Sequence, residues 1–136
     1  MGEIENKVDM AAEEEVRVLF IEDDAALAEM YTVKLELDGY TVTRAADGEE
    51  GLRLAAEIEP DIVFLDIRLP KMDGFDVLER LRADDRLKHL PVIILSNYAE
   101  EELIERGMKL GALEFLVKAD TTPAGLSGSV MGWIKE

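Results

Sequence analysis

The sequence has no cysteine, which excludes disulfide staples and thiolate metal sites and fits a cytoplasmic chain. No apolar run approaches the roughly 18 residues of a membrane-spanning helix. The opening residues, Met1-Gly2-Glu3-Ile4-Glu5, lack the basic and apolar regions of a secretory signal. Basic residues are scarce: 15 Lys and Arg stand against 31 Asp and Glu, a net charge of −16. A surface of that sign repels nucleic acid and anionic membrane, so direct binding to either is not expected. Internal repeats are absent. The single histidine, His89, sits among Arg86, Leu87 and Lys88 before Pro91, where a surface loop is expected.

What is present suffices for one packed core. The 136 residues, 48% of them hydrophobic, match a single globular domain. Residues 1–15 are set apart: Glu3, Glu5, Asp9, Glu13, Glu14 and Glu15 face only Lys7, and no apolar period runs through them. They are expected to form a disordered acidic tail, with the folded domain occupying 16–136.

From Val16 onward, apolar runs of strand length alternate with stretches of helical period. Val16–Ile21, Tyr40–Ala45, Asp61–Asp66, Pro91–Leu95 and Leu113–Val117 read as strands. Helices are predicted from Ala25 to Asp38, from Asp47-Gly48 to before Pro60, after Asp73, from about Glu100 to Leu110, and from Thr122-Pro123 onward. Strands that alternate with helices imply a parallel α/β sheet with right-handed crossovers. The third strand is apolar throughout, as expected of a central strand buried on both faces, and it stops at Asp66.

Open α/β sheets hold ligands at the carboxyl ends of their strands. The first strand ends in Glu22-Asp23, the third in Asp66, the fourth in Ser96-Asn97 and the fifth in Lys118. If the first and third strands are neighbours, three carboxylates meet, and their mutual repulsion calls for a cation. An all-oxygen ligand set points to Mg²⁺. A carboxylate, a divalent cation, a hydroxyl and a lysine converging at one sheet edge make a phosphoryl site. Taken singly, each residue has a plainer reading: Glu22 and Asp23 as helix caps, Ser96 as a helix start, Lys118 as a solvated strand end. Their joint occurrence in order is what carries weight.

That combination resembles the receiver domain of two-component response regulators. The likeness rests on Glu22-Asp23, on Asp66 within Asp66-Ile67-Arg68-Leu69-Pro70-Lys71-Met72-Asp73-Gly74, on Ser96, and on Lys118 after Gly111-Ala112. It implies a flavodoxin-like doubly wound fold, five parallel strands in the order 2-1-3-4-5 flanked by five helices. Asp66 would then be the phosphoacceptor, taking a phosphoryl group from a histidine kinase or phosphotransfer protein. Asp23, Asp66 and the Arg68 backbone carbonyl would ligate Mg²⁺, with Glu22 acting through water. Ser96 and Lys118 would bind phosphoryl oxygens, and Phe115 would move inward as Ser96 shifts. The fourth helix, fifth strand and fifth helix would meet an unknown target protein. The chain is expected to be a monomer or a weak phosphorylation-dependent dimer.

Some positions depart from the family pattern. Ala119 follows Lys118 where proline in a cis peptide is usual; without proline a cis bond costs about 3 kcal/mol, so a trans turn of another shape is expected. Asn97 replaces a small residue and narrows the approach to the site. Arg68 and Tyr98 flank the path of attacking water, and slow loss of the phosphoryl group is expected. Gly125, Gly128 and Gly132 weaken the last helix, while Trp133 is expected to pack on the sheet.

The leading function is a stand-alone phospho-receiver, catalysing only its own modification, whose effector is another chain unless these residues are part of a longer regulator. The alternative is a constitutive receiver-like interaction module that is not phosphorylated in use. A hydrolase of the aspartate-nucleophile type is disfavoured, because it needs an acid soon after the nucleophile and position 68 is Arg.

Overall fold

The computed structural model describes residues 15–135, so nearly all of the expected acidic tail lies outside the described residues. The elements run β1 (Arg17–Ile21), α1 (Ala25–Leu37), β2 (Thr41–Ala45), α2 (Gly48–Ile58), β3 (Ile62–Leu65), α3 (Gly74–Ala83), β4 (Val92–Ser96), α4 (Glu101–Lys109), β5 (Glu114–Val117), a 3₁₀ turn (Lys118–Asp120) and α5 (Pro123–Lys135). All strand pairs are parallel and the order is β2-β1-β3-β4-β5, the flavodoxin-like arrangement expected. Most strand and helix ends fall within a residue or two of the expected positions, the usual uncertainty of frayed ends.

Side-chain alternation along the central strands sorts the core into two layers. Leu19, Ile21, Val63, Leu65, Val92 and Ile94 point to the layer closed by Ala55 of α2 and by Val77, Leu78 and Leu81 of α3. Val18, Phe20, Ile62, Phe64, Ile93 and Leu95 point to the opposite layer, closed by Tyr31 and Leu35 of α1 and by Leu126 and Val130 of α5. Burying each such side chain contributes roughly 1.5–3 kcal/mol. Trp133 packs edge-on against Phe64 at 5.9 Å, so it belongs to the sheet's second layer as expected.

Three helices start on an aspartate, which accepts a hydrogen bond from a free backbone N–H of the first turn. Asp24 accepts from Leu27 at 3.1 Å, Asp47 from Glu50 at 2.8 Å and Asp73 from Asp76 at 3.0 Å. These caps begin α1, α2 and α3 just beyond the carboxyl ends of β1, β2 and β3. The loops after β1 and β2 are therefore short and pinned, and the longer loop that carries Asp66 is pinned at its far end by the Asp73 cap.

Candidate phosphoryl and cation site

Strand register brings the candidate residues together. Ile21 of β1 is paired with Leu65 of β3, so Glu22-Asp23 and Asp66 leave the sheet at the same level. The Asp66 N–H continues the ladder by donating to the Ile21 carbonyl at 3.0 Å. On the other side Ser96 pairs with Val117, placing the hydroxyl and Lys118 at the same edge. Glu22, Asp23 and Asp66 each offer a carboxylate oxygen, and these lie within 4.8 Å of one another.

The Lys118 ammonium reaches into this group. Its Nζ lies 3.0 Å from Asp66 Oδ2 and 2.6 Å from Glu22 Oε1. Glu22 is only 1% exposed and Asp66 7%, whereas Asp23 is open to solvent. Glu22 Oε2 accepts from the Asp24 N–H at 3.1 Å, but Oε1 has only the ion pair and no partner in hydrogen-bond geometry. Burial pushes the Glu22 carboxyl up to about 7, although the nearby Lys118 ammonium and the Asp24 hydrogen bond pull the other way. Burial would lower the Lys118 pKa, but the close contacts with the Glu22 and Asp66 carboxylates outweigh it and raise it. The lysine stays charged, and one ammonium serves two acids.

Glu22, Asp23, Asp66, Arg68, Asn97, Tyr98 and Lys118 line one concavity of about 370 Å³. The Arg68 guanidinium stacks over the Tyr98 ring at 4.5 Å, which pairs the two residues singled out as flanking the water path. Asn97 is exposed beside them. Ser96 is fully buried, and its Oγ accepts from the Tyr98 N–H at 2.9 Å. Phe115 is half-buried in the first layer, beside Gly107 of α4 rather than among the carboxylates. His89 is exposed, as expected.

Ala119 lies in the 3₁₀ turn, and no peptide bond among the described residues is cis. Two hydrogen bonds hold that turn: the Tyr31 hydroxyl donates to the Thr121 carbonyl at 2.6 Å, and the Thr121 hydroxyl to the Val117 carbonyl at 2.8 Å. Neither Tyr31 nor Thr121 was expected at the site. Arg44 was also missed. From β2 it donates to the Glu22 carbonyl through Nε and to the Asp23 carbonyl through a terminal nitrogen, both at 3.0 Å. The available signal was a lone arginine at the end of an edge strand, too common to single out.

The arrangement can hold a small hard cation. Its donors are all oxygen, two are buried and one exposed, and the Glu22 oxygen without a hydrogen-bond partner has unspent acceptor capacity. Mg²⁺ fits this set, with positive charge relieving the repulsion among the acids.

Comparison with known proteins agrees with the geometry. A family profile described as "Response regulator receiver domain" matches residues 18–125. The DNA-binding dual master transcriptional regulator RpaA of Synechocystis sp. is 40% identical over 102 residues, which is 75% of this chain and 42% of that protein. The chain thus spans about two fifths of the length of such curated relatives. The receiver domain of Francisella response regulator 1452 superposes with a TM-score of 0.81 at 31% identity, covering 89% of this chain and 98% of that one. Vibrio cholerae chemotaxis protein CheY4 superposes with a TM-score of 0.80 at 29% identity, covering 87% and 98%. Because relatives such as RpaA bind DNA, the expected absence of nucleic-acid contact finds no support in them.

Proposed function

The chain belongs to the response-regulator receiver domain family, and from that premise we propose that Asp66 accepts a phosphoryl group from the phosphohistidine of a histidine kinase or phosphotransfer protein. An Asp66 carboxylate oxygen forms the new bond to phosphorus while the P–N bond breaks and the electron pair leaves with the imidazole. Carboxylates serve as nucleophiles of this kind. The observation that carries the reading is Lys118, buried and charged, bridging the buried acids Glu22 and Asp66 at the end of the central strands.

Each residue has a task in that reaction. Glu22, Asp23, Asp66 and the Arg68 carbonyl would hold Mg²⁺, which when bound offsets charge on the phosphoryl oxygens. Lys118 orients Asp66 and then neutralises one phosphoryl oxygen. Ser96 exchanges its contact with the Tyr98 N–H for a hydrogen bond to another. The released loop after β4 lets Phe115 turn inward, and the surface of α4, β5 and α5 presents its second arrangement to a target protein. The chain catalyses only its own modification and acts in the cytoplasm as a monomer or weak dimer, without touching nucleic acid through these residues.

A second reading has one observation in its favour. The Arg68–Tyr98 stack lines the concavity and narrows it, as suits a constitutive interaction module whose acids are screened from a phosphodonor. Intact mass after incubation with a small phosphodonor separates the two readings. Addition of one phosphoryl group that requires both Mg²⁺ and Asp66, and is lost in Asp66→Asn, is the expected result. No added mass under any condition would leave the constitutive module standing.

A further inference from the structure

The loop that presents Glu22 and Asp23 carries like charges facing Asp66 and lies past the last paired residues of the sheet. The register of β1 with β2 ends at Ile21 and Ala45. Beyond it the Glu22 N–H still donates to the Ala45 carbonyl at 3.0 Å, but the next two carbonyls have no strand to meet. The Arg44 guanidinium takes both of them. A planar fork suits this task, because its donors are fixed relative to one another. The Asp24 N–H is tied to Glu22 Oε2, and the Asp24 side chain caps α1. Successive backbone groups of the acidic loop are thereby immobilised, two of them by one side chain.

We propose that Arg44 is the positioning residue of the cation site, holding the Glu22 and Asp23 carboxylates in register with Asp66 by fixing the carbonyls of the loop that bears them. The inference rests on the reading that these acids hold a divalent cation. Without the fork, repulsion among three carboxylates within 4.8 Å of one another turns the loop outward and separates the ligands. Partners that orient metal ligands from behind commonly change affinity by about 10–100-fold when removed. The charge of Arg44 acts in the opposite sense, since a guanidinium near the site disfavours a dication. Positioning and simple electrostatics therefore predict effects of opposite sign.

The test is a Mg²⁺ titration of the full chain, wild type against Arg44→Met and Arg44→Lys, followed by backbone amide shifts at residues 22–24 and 66–68. Thermal melting in chelator serves as the folding control. Both variants are expected to bind Mg²⁺ about tenfold more weakly or worse, with melting close to wild type. Modification by a small phosphodonor should return to the wild-type rate at saturating Mg²⁺. Arg44→Lys retains the charge and loses the fork, so it should not rescue. Binding by Arg44→Met as tight as wild type, or tighter, overturns the inference; should that variant not fold, unchanged affinity in Arg44→Lys does so. A wild-type chain without saturable Mg²⁺ shifts at these amides instead removes the cation-site reading, and Arg44's role with it.

Discussion

Replacing glycine by alanine should destabilise this protein at one helical position and stabilise it at another, with the sign set by the surroundings. Gly74 opens α3, and a Cβ there would overlap the Asp66 carbonyl oxygen and sit 2.7 Å from Ile67 Cα. These neighbours are backbone atoms of the loop that follows β3, held in part by the Gly74 N–H, which donates to the Ile67 carbonyl at 2.6 Å. The loop must move, and overpacking of this kind costs about 1–3 kcal/mol. Gly128 lies on the exposed face of α5 with nothing within 4 Å of a Cβ. Alanine there gains up to about 1 kcal/mol of helix propensity without a clash. Urea denaturation of Gly74→Ala, Gly128→Ala and wild type gives the two differences directly. At about 3–5 °C per kcal/mol for a domain of this size, the melting midpoints should move by roughly −10 °C and +3 °C. Equal stability of Gly74→Ala and wild type would refute the close approach, and loss of stability in Gly128→Ala would show that the α5 face is not open.

Other perturbations probe the site and its supports. Lys118→Met leaves Glu22 and Asp66 buried without their cation, a cost of about 3–5 kcal/mol in chelator at pH 8. Glu22 already sits at about 7, above its ordinary 4.5, so its stability contribution is present below pH 4.5 and is lost as pH rises through 7. The variant should therefore recover stability on acidification or on adding Mg²⁺, and a pH-independent deficit by urea denaturation would contradict this. Tyr98→Ala removes the ring under the Arg68 guanidinium and should shorten the lifetime of the phosphorylated protein several-fold, read by intact mass over time; hydrolysis of the wild type within seconds would sink the idea. Ser127→Ala removes the hydroxyl that donates to Asp38 Oδ2 at 2.6 Å and joins α5 to the end of α1. That bond, followed by those from Lys34, lowers the Asp38 pKa, so its contribution is present above pH 3.8 and fades as pH falls further. Melting of Ser127→Ala should lie below wild type at pH 7, with the gap closing in acid.

Much of this protein follows from local signals in its sequence. Strand and helix periods, Asp24, Asp47 and Asp73 at helix starts, and a carboxylate or lysine after successive apolar strands depend on near neighbours alone. Parallel crossovers then leave few ways to assemble them, and the family resemblance supplied the sheet order, and with it the meeting of Glu22, Asp23, Asp66 and Lys118. Other features depended on which distant side chains could reach one another once the sheet had formed. Lys118 divides its charge between Asp66, 52 residues earlier, and the more deeply buried Glu22. Tyr31 secures a turn 90 residues away in place of the missing proline. Arg44 reaches the carbonyls behind the acids, and Arg68 lies down on Tyr98. Periodicity cannot encode such contacts, because they depend on burial and on the fixed reach of a side chain across neighbouring strands. The residue types and their order determined the fold and the chemistry available; only the tertiary structure decided which residues hold that chemistry in place.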